Sequence, residues 1–200
     1  SEIKELVKNS FLDNQPIYKV SSFKNIGIDK LKEDIINISL TKNRDMKNSR
    51  DLFSMYVDRS FSQQGFGTIV TGTVMSGKIN VGDKVNILPI SQTARLRSAQ
   101  SHHKNVKSLQ AGDRAALNLH GISRDEIKRG YHLSNYNFFK SVKRFLARIS
   151  ISKSTTINLK QDQRLRFHIG TTEVIGRISI CKKNNIQPGE SEICLVKLEE

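Results

Sequence analysis

Seven residues, from Gly72 to Lys78, have the types and spacing that could hold the phosphates of a nucleotide. They fit the first seven positions of a phosphate-binding loop, in which backbone N–H groups and a lysine surround the phosphates. The eighth position is Ile79, where a serine or threonine hydroxyl should coordinate magnesium. The residues before Ser76-Gly77 favour an extended strand, and that pair suits a turn. We therefore predict a strand and a turn here, not a nucleotide site.

A second pattern with possible chemistry is the alternation in residues 164–169. Period-2 spacing puts Arg164, Arg166 and His168 on one strand face and apolar residues on the other. The apolar face is predicted to be buried. The basic face is either a solvated surface or a contact for the phosphates of a nucleic acid, and the sequence leaves both interpretations open.

The histidines and cysteines do not form a catalytic or metal-binding set. No pair among the five histidines has the i, i+4 ligand spacing with a carboxylate. Cys181 and Cys194 lie in apolar contexts without zinc spacing, so both are predicted to be buried, in a protein of the reducing cytosol. We predict no metal site and no catalytic residue.

The chain is strongly basic, with 33 Lys+Arg against 19 Asp+Glu and a net charge of +14. Residues 1–51 carry 10 basic against 8 acidic side chains, residues 52–136 carry 11 against 5, and residues 137–200 carry 12 against 6. Such a surface favours a polyanionic partner such as a nucleic acid. No apolar run is long enough for a membrane span or a secretory signal, so we predict a soluble, cytoplasmic protein without a membrane partner.

The elements that must position these residues fall into an α–β–α segment and two β segments. Apolar spacing predicts a helix around residues 3–11, a strand over Ile17–Val20 and a helix around residues 28–38. Residues 41–51 are polar without an apolar period and are predicted to be a linker. Strands are predicted near Phe53–Phe61, Gly67–Ser76, Lys84–Leu88, Ala94–Gln100, Arg114–Leu119 and Tyr131–Leu133, then over residues 144–151, 164–169 and 172–180.

Several of these segments resemble domain 2 of the elongation factor Tu-like translation GTPases, most closely the selenocysteine-specific elongation factors. They are Tyr56–Phe61, Gly65–Asp83, Ala111–Leu119 and Asp125–Gly130, in the order that this domain requires. Phe167–Val174 and Gln187–Ser191 resemble domain 3 of the same factors.

The resemblance implies a mainly β chain. Residues 1–40 are expected to be the C-terminal α/β remnant of a GTPase domain, with 41–51 as the linker. Residues 52–136 are expected to form the domain 2 β-barrel, and residues 137–200 part of a second β-barrel, a truncated domain 3.

The resemblance also implies an aminoacyl pocket made by Asp58, Arg59 and Arg114. General elongation factors typically have Glu-Asp where this chain has Asp58-Arg59, and Glu-Asn where it has Asp113-Arg114. A selenol is ionised at neutral pH and serine is neutral, so two permanent guanidinium charges favour selenocysteine. The alternative is that Arg59 and Arg114 pair with Asp58 and Asp113 on a solvated surface.

Ser21 and Ser22 resemble the last guanine-contacting loop of a GTPase domain. The phosphate-binding loop, the magnesium-binding aspartate and the base-specifying Asn-Lys-x-Asp should precede this loop, and none is present in the sequence. The chain is therefore expected to be a fragment of a longer parent protein. We expect the chain itself to bind no GTP and to need no cofactor, whereas the parent protein is expected to use GTP and magnesium as a GTPase.

The implied function is delivery of selenocysteinyl-tRNA to the ribosome by the parent protein. A messenger-RNA hairpin is expected to be bound only through a further C-terminal domain. Two alternatives stay open: a domain of a general aminoacyl- or initiator-tRNA factor, and a barrel that docks on the ribosome or another protein.

Overall fold

The computed structural model describes residues 2–8, 10–41, 52–135 and 137–199. The chain divides into two units, residues 1–47 and 48–200. The regular elements of the first unit are helices and those of the second are almost all strands, so the predicted mainly β class is confirmed. The predicted linker over residues 41–51 lies outside the described residues except for Thr41, which ends a helix.

The first unit contains two helices, α1 (Glu2–Val7) and α2 (Ile28–Thr41), and none of their residues is buried. The periodicity of residues 28–38 predicted α2. The strand predicted over Ile17–Val20 is wrong, because the described part of this unit contains no strand. Backbone N–H and C=O groups form a strand only when a neighbour pairs with them. Here the only β-type pairing described is a single bridge between Ser21 and Ile26.

Ten strands between Ser54 and Ser134 form the first β domain. They are β1 (Ser54–Tyr56), β2 (Arg59–Gln63), β3 (Gly67–Ser76), β4 (Lys78–Asn80), β5 (Lys84–Leu88), β6 (Gln92–Ser101), β7 (Lys104–Val106), β8 (Ser108–Gln110), β9 (Arg114–His120) and β10 (His132–Ser134). Six of them close a barrel in the order β1–β10–β5–β6–β9–β3, with β3 paired back to β1. Closure leaves this ring without a free sheet edge.

Strand β3 has the predicted bounds and determines which side chains face the interior. Its even-numbered residues from Thr68 to Val74 are buried, and its odd-numbered residues face outward. Thr71 and Thr73 therefore lie on the outer surface. The core that fills the barrel consists of Phe53, Met55, Val57, Val70, Val74, Ile79, Val85, Ile87, Ala94, Leu96, Ala99, Leu109, Ala115, Leu117, Leu119, Ile127 and Leu133.

The turn after β3 contains Gly77, at a φ of +66°. A Cβ at this position would lie 2.5 Å from both the carbonyl oxygen of Leu52 and the backbone nitrogen of Phe53. The neighbouring Ser76 hydroxyl donates to the same Leu52 oxygen at 2.8 Å. The segment that imitates a phosphate-binding loop is thus a strand and a turn, as predicted.

The strand predicted over Phe53–Phe61 is interrupted at Val57 and Asp58. The Val57 N–H donates to the Tyr131 carbonyl at 2.8 Å, and the Val57 carbonyl accepts from the Gly130 N–H at 2.9 Å. The next strand, β2, begins at Arg59 and pairs with β3 alone. The chain changes hydrogen-bonding partners at this point, a change that side-chain alternation does not reveal.

Six strands form the second β domain. They are β11 (Arg144–Ser150), β12 (Leu159–Lys160), β13 (Arg164–Ile169), β14 (Thr172–Ile180), β15 (Asn185–Ile186) and β16 (Ser191–Leu198). Four make a sheet in the order β11–β16–β14–β13, and β12 pairs with β15. Cys194 is buried on the inner face, but Cys181 is exposed, so the prediction that both are buried is wrong. Cys181 directly follows the buried Ile180, and alternation turns it outward.

His132 of β10 is a half-buried histidine between two aromatic rings. Its ring centroid lies 5.0 Å from that of Tyr56 and 4.8 Å from that of Phe139. Its Nε2 is 2.7 Å from the Ser54 hydroxyl oxygen. Burial lowers the pKa of His132 below its ordinary value of 6.5, because the charged imidazolium loses solvation there.

This lowered pKa predicts a pH-dependent stability. The folded state favours the neutral imidazole, so the stabilisation is complete above the ordinary pKa of 6.5 and is lost as the pH falls through the folded-state pKa. We expect the free energy of unfolding, measured in urea between about pH 8 and 5, to decline less steeply in His132→Gln than in the wild type. Equal slopes would show that another group causes the decline.

Candidate functional site

The strongest cluster of sequence-predicted site residues joins Asp58 and Arg114 on the outer wall of the barrel. Arg114 begins β9 opposite Thr73 of β3. Its Nη1 donates to Asp58 Oδ2 at 2.8 Å and to the Thr73 hydroxyl at 2.8 Å. The Arg114 side chain is 60% exposed and that of Asp58 is 26% exposed.

The guanidinium of Arg114 is held in one orientation, but only some of its N–H donors make hydrogen bonds. A guanidinium has five N–H donors, and two hydrogen bonds from Nη1 use both of that atom's hydrogens. Within the described part of the chain, the Nε and Nη2 of Arg114 have no acceptor. Three donors of a permanent cation therefore remain available to an anion at this surface.

Asp58 is held by the backbone on one side and by the ion pair on the other. Its N–H donates to the Thr71 carbonyl at 2.7 Å, which ties it to the centre of β3. Its carboxylate fixes the direction of Arg114. A carboxylate beside an arginine reduces the net charge of the site but keeps the guanidinium in one geometry.

Arg59 lies near this pair without joining it. It begins β2 opposite Thr71, whereas Arg114 lies opposite Thr73 on the other side of β3. Both arginines face outward. Their strands, β2 and β9, lie on either side of β3, so the two strands are separated by two inter-strand spacings, roughly 10 Å. Arg59 also lines a cavity of about 390 Å³ with Arg124, Lys128 and Arg129.

The sequence analysis did not predict the other three basic residues of this cavity, Arg124, Lys128 and Arg129, as site residues. A signal was present, because Lys128 and Arg129 lie in the segment Asp125–Gly130 that resembles domain 2, and Arg124 directly precedes it. Arg124 is partly neutralised by Asp125, at 2.9 Å between Nη1 and Oδ1. The cavity gives the outer wall a concave, mainly basic surface beside the Asp58–Arg114 pair.

Asp113 does not join the site. Its Oδ2 accepts the Gln110 N–H at 2.8 Å and closes the turn before β9. Of the ion pairs in that alternative, the one between Arg114 and Asp58 is present, whereas neither Arg59 nor Asp113 has an ion pair among the described residues.

The basic face of β13 is exposed as predicted, and acidic side chains accompany it. Arg164 makes two hydrogen bonds to Glu199, at 2.8 Å from Nε and 2.7 Å from Nη2. Glu173 lies 3.3 Å from Arg166 and 3.7 Å from His168. The hydrogen bonds between Arg164 and Glu199 lower the pKa of the glutamate and raise that of the arginine. Much of the positive charge on this face is locally compensated.

Ser21 and Ser22 lie in a tight loop before α2. Ser21 and Ile26 exchange backbone hydrogen bonds of 3.0 Å, and the Ser21 hydroxyl accepts the Lys24 N–H at 3.3 Å. The loop is thus closed on itself. The structure brings no other predicted site residue to it.

Among the described residues, no group of three or more histidine, cysteine, aspartate or glutamate side chains is arranged to hold a metal ion. No helix in the described ranges has the length and apolar character to cross a membrane.

Residues 67–134 match the protein family described as elongation factor Tu domain 2. The chain is 31% identical over 196 residues to the selenocysteine-specific elongation factor of Desulfomicrobium baculatum, covering 98% of this chain and 31% of that protein. It is 33% identical over 204 residues to the factor of the same name from Methanocaldococcus jannaschii, covering 94% of this chain and 43% of that protein. The chain thus spans less than half the length of these relatives.

Two solved structures of one elongation factor superimpose on this chain. Translation elongation factor SelB from Methanococcus maripaludis, in its apo form, superimposes with a TM-score of 0.84 at 26% identity, covering 100% of this chain and 46% of that one. The same factor in complex with the GTP analogue GppNHp superimposes with a TM-score of 0.78.

Proposed function

Because residues 67–134 belong to the elongation factor Tu domain 2 family, in a chain related over nearly its whole length to selenocysteine-specific elongation factors, we propose that it is the central part of such a factor. The parent protein delivers selenocysteinyl-tRNA to the ribosome in the cytoplasm. The first β domain supplies the pocket for the aminoacyl group and part of the surface that faces the tRNA.

The observation that supports this proposal is the arrangement of Asp58, Thr73 and Arg114. Two hydrogen bonds from one nitrogen hold the guanidinium, and its remaining donors are unused among the described residues, in a side chain that is 60% exposed. A selenolate gains a charge-assisted hydrogen bond at this position, whereas a neutral serine hydroxyl gains a weaker one. Arg59, across β3, adds a second positive charge on the same outer wall.

The proposed domain organisation places nucleotide chemistry outside this chain. Residues 1–40 are the end of the GTPase domain, and the parent binds GTP and magnesium through residues that precede them. The exposed apolar side chains of the first unit support this view, with Phe11 88% and Phe23 96% exposed. Such surface is normally covered in a complete domain. The messenger-RNA hairpin is bound by a further C-terminal domain of the parent.

The proposed function is tested by titrating the 200-residue chain with selenocysteinyl-, seryl- and uncharged tRNA. We expect the tightest binding for selenocysteinyl-tRNA and similar, weaker binding for the other two. Equal affinity for both charged tRNAs, with weaker binding of uncharged tRNA, identifies a general tRNA factor. Equal affinity for all three tRNAs favours a docking barrel whose positive charge serves RNA in general.

The basic face of β13 is proposed to contact the tRNA backbone through Arg164, Arg166 and His168. Both arginines keep donors that their acidic partners do not use, with side chains 54% and 73% exposed. We expect Arg164→Ala/Arg166→Ala to reduce the slope of log affinity against log salt by about 1 for each arginine that contacts a phosphate. Lys30→Ala/Lys32→Ala, on α2, is the control pair. An unchanged slope would mean that the β13 face is only solvated.

A further inference from the structure

The tip of the β13–β14 hairpin, Gly170 and Thr171, reaches the first β domain at the residue that precedes the proposed pocket. The Thr171 hydroxyl donates to the Val57 carbonyl at 2.7 Å. The same carbonyl accepts the Gly130 N–H at 2.9 Å, so both of its lone pairs are used. Val57 is directly followed by Asp58 and Arg59.

The hairpin tip is held in place from two further directions. Arg129 Nε donates to the Thr171 carbonyl at 2.6 Å. Gly170 has a φ of +59°, and a Cβ there would lie 2.6 Å from Cδ1 of the Tyr56 ring. The glycine therefore permits a close approach between the two β domains that a larger residue would prevent.

These contacts fix the backbone where it changes hydrogen-bonding partners between β1 and β2. At such an interruption the chain lacks a regular ladder on both sides, so individual hydrogen bonds determine its position. The Thr171 bond acts on the carbonyl of the peptide unit whose N–H, that of Asp58, donates to Thr71. A shift of this peptide unit moves the Asp58 carboxylate, which orients Arg114.

We propose that Thr171 is a positioning residue of the aminoacyl pocket: the second β domain fixes the Asp58 backbone through Thr171 and thereby orients Arg114 toward the anionic aminoacyl group. The inference rests on the proposed function. It makes selenocysteine selectivity a property of both β domains, although within residues 137–199 no side chain makes a hydrogen bond or ion pair with the side chains of Asp58, Arg59 or Arg114.

Thr171→Val tests the inference, because it removes the hydroxyl and nearly keeps the side-chain volume. In the 200-residue chain, we expect the ratio of selenocysteinyl- to seryl-tRNA affinity to fall roughly three- to tenfold, the effect of losing one neutral hydrogen bond. The exchange rate of the Asp58 amide hydrogen, measured by NMR, should rise by a similar factor. Loss of a merely structural contact would weaken the binding of both charged tRNAs alike and leave the ratio of their affinities unchanged.

Three variants complete the design. Thr171→Ser keeps the hydroxyl and should retain the wild-type ratio. Thr172→Val is the matched control, since the Thr172 hydroxyl has no hydrogen-bond partner among the described residues. Thr171→Ala provides a second removal of the hydroxyl if the valine variant does not fold.

The outcomes separate this inference from the proposed function. A selective wild type and an equally selective Thr171→Val overturn the positioning role and leave the proposed function intact. A wild type that binds both charged tRNAs alike overturns the proposed function. In that case, faster exchange of the Asp58 amide hydrogen in Thr171→Val still supports the effect of Thr171 on the Asp58 backbone. An unchanged exchange rate overturns that effect as well.

Discussion

Replacing Arg114 with alanine is expected to weaken the binding of selenocysteinyl-tRNA by about tenfold or more and to leave seryl-tRNA binding unchanged. Hydrogen bonds to charged groups contribute roughly 1.5–3 kcal/mol, and each 1.4 kcal/mol corresponds to about tenfold in affinity. The loss is specific because the selenolate carries the charge that the guanidinium meets. The measurement compares both charged tRNAs on wild type and Arg114→Ala, in the 200-residue chain and in the GTP-bound parent.

Two related substitutions sharpen this test. Arg114→Lys keeps the charge but loses the planar set of donors, so we expect an intermediate loss. Arg59→Ala should cost less than Arg114→Ala, since Arg59 lies outside the Asp58 pair and lines the neighbouring cavity. Equal weakening of both tRNAs by Arg114→Ala would reassign this arginine to a general phosphate contact. No effect on either would leave a solvated ion pair of small energetic value.

Replacing Gly77 with alanine is expected to cause a large loss of stability, on the order of 3 kcal/mol or more in the free energy of unfolding. The left-handed backbone conformation accounts for about 1–2 kcal/mol of this loss. The rest comes from the new Cβ, which would lie 2.5 Å from the Leu52 oxygen and the Phe53 nitrogen. Both atoms belong to backbone that enters the barrel, so neither can move without disturbing β1. Urea unfolding of the whole chain gives the value.

Gly65→Ala is the matched control for Gly77→Ala. Gly65 also has a positive φ, +80°, but its Cβ would meet nothing within 4 Å. Its substitution should therefore cost only the conformational part, about 1–2 kcal/mol. Similar losses at both positions would show that the crowding beside Leu52 is relieved by relaxation.

The sequence was most informative where local pattern and tertiary structure agree. The strands β3, β5, β13 and β14 have the predicted bounds, because alternation and turn residues define them without reference to distant parts of the chain. The three-residue strands β4, β7 and β8 were missed, since three residues are too few to establish an alternation. The predicted strand over Ile17–Val20 failed for a different reason, because it lacks a partner within the described residues.

For the candidate site, the sequence predicted which residues take part but not which of them contact each other. Asp58 and Arg114 are 56 positions apart, and their contact depends on how β2 and β9 both register against β3. Likewise, Glu199 reaches Arg164 from 35 positions away. Side-chain types along one strand show that a face is basic, but they do not show which acidic groups other strands bring to it. The net charge of a surface is therefore a tertiary property.

The different environments of the two cysteines give the chain a natural chemical handle. Cys181, at the end of β14, is exposed, whereas Cys194 is buried and burial raises the pKa of its thiol. Thiolates are the reactive form, so a maleimide dye should modify Cys181 selectively. The label would sit directly after β14, the strand that leaves the Gly170–Thr171 tip. Fluorescence could then follow the second β domain during tRNA binding without any engineered cysteine.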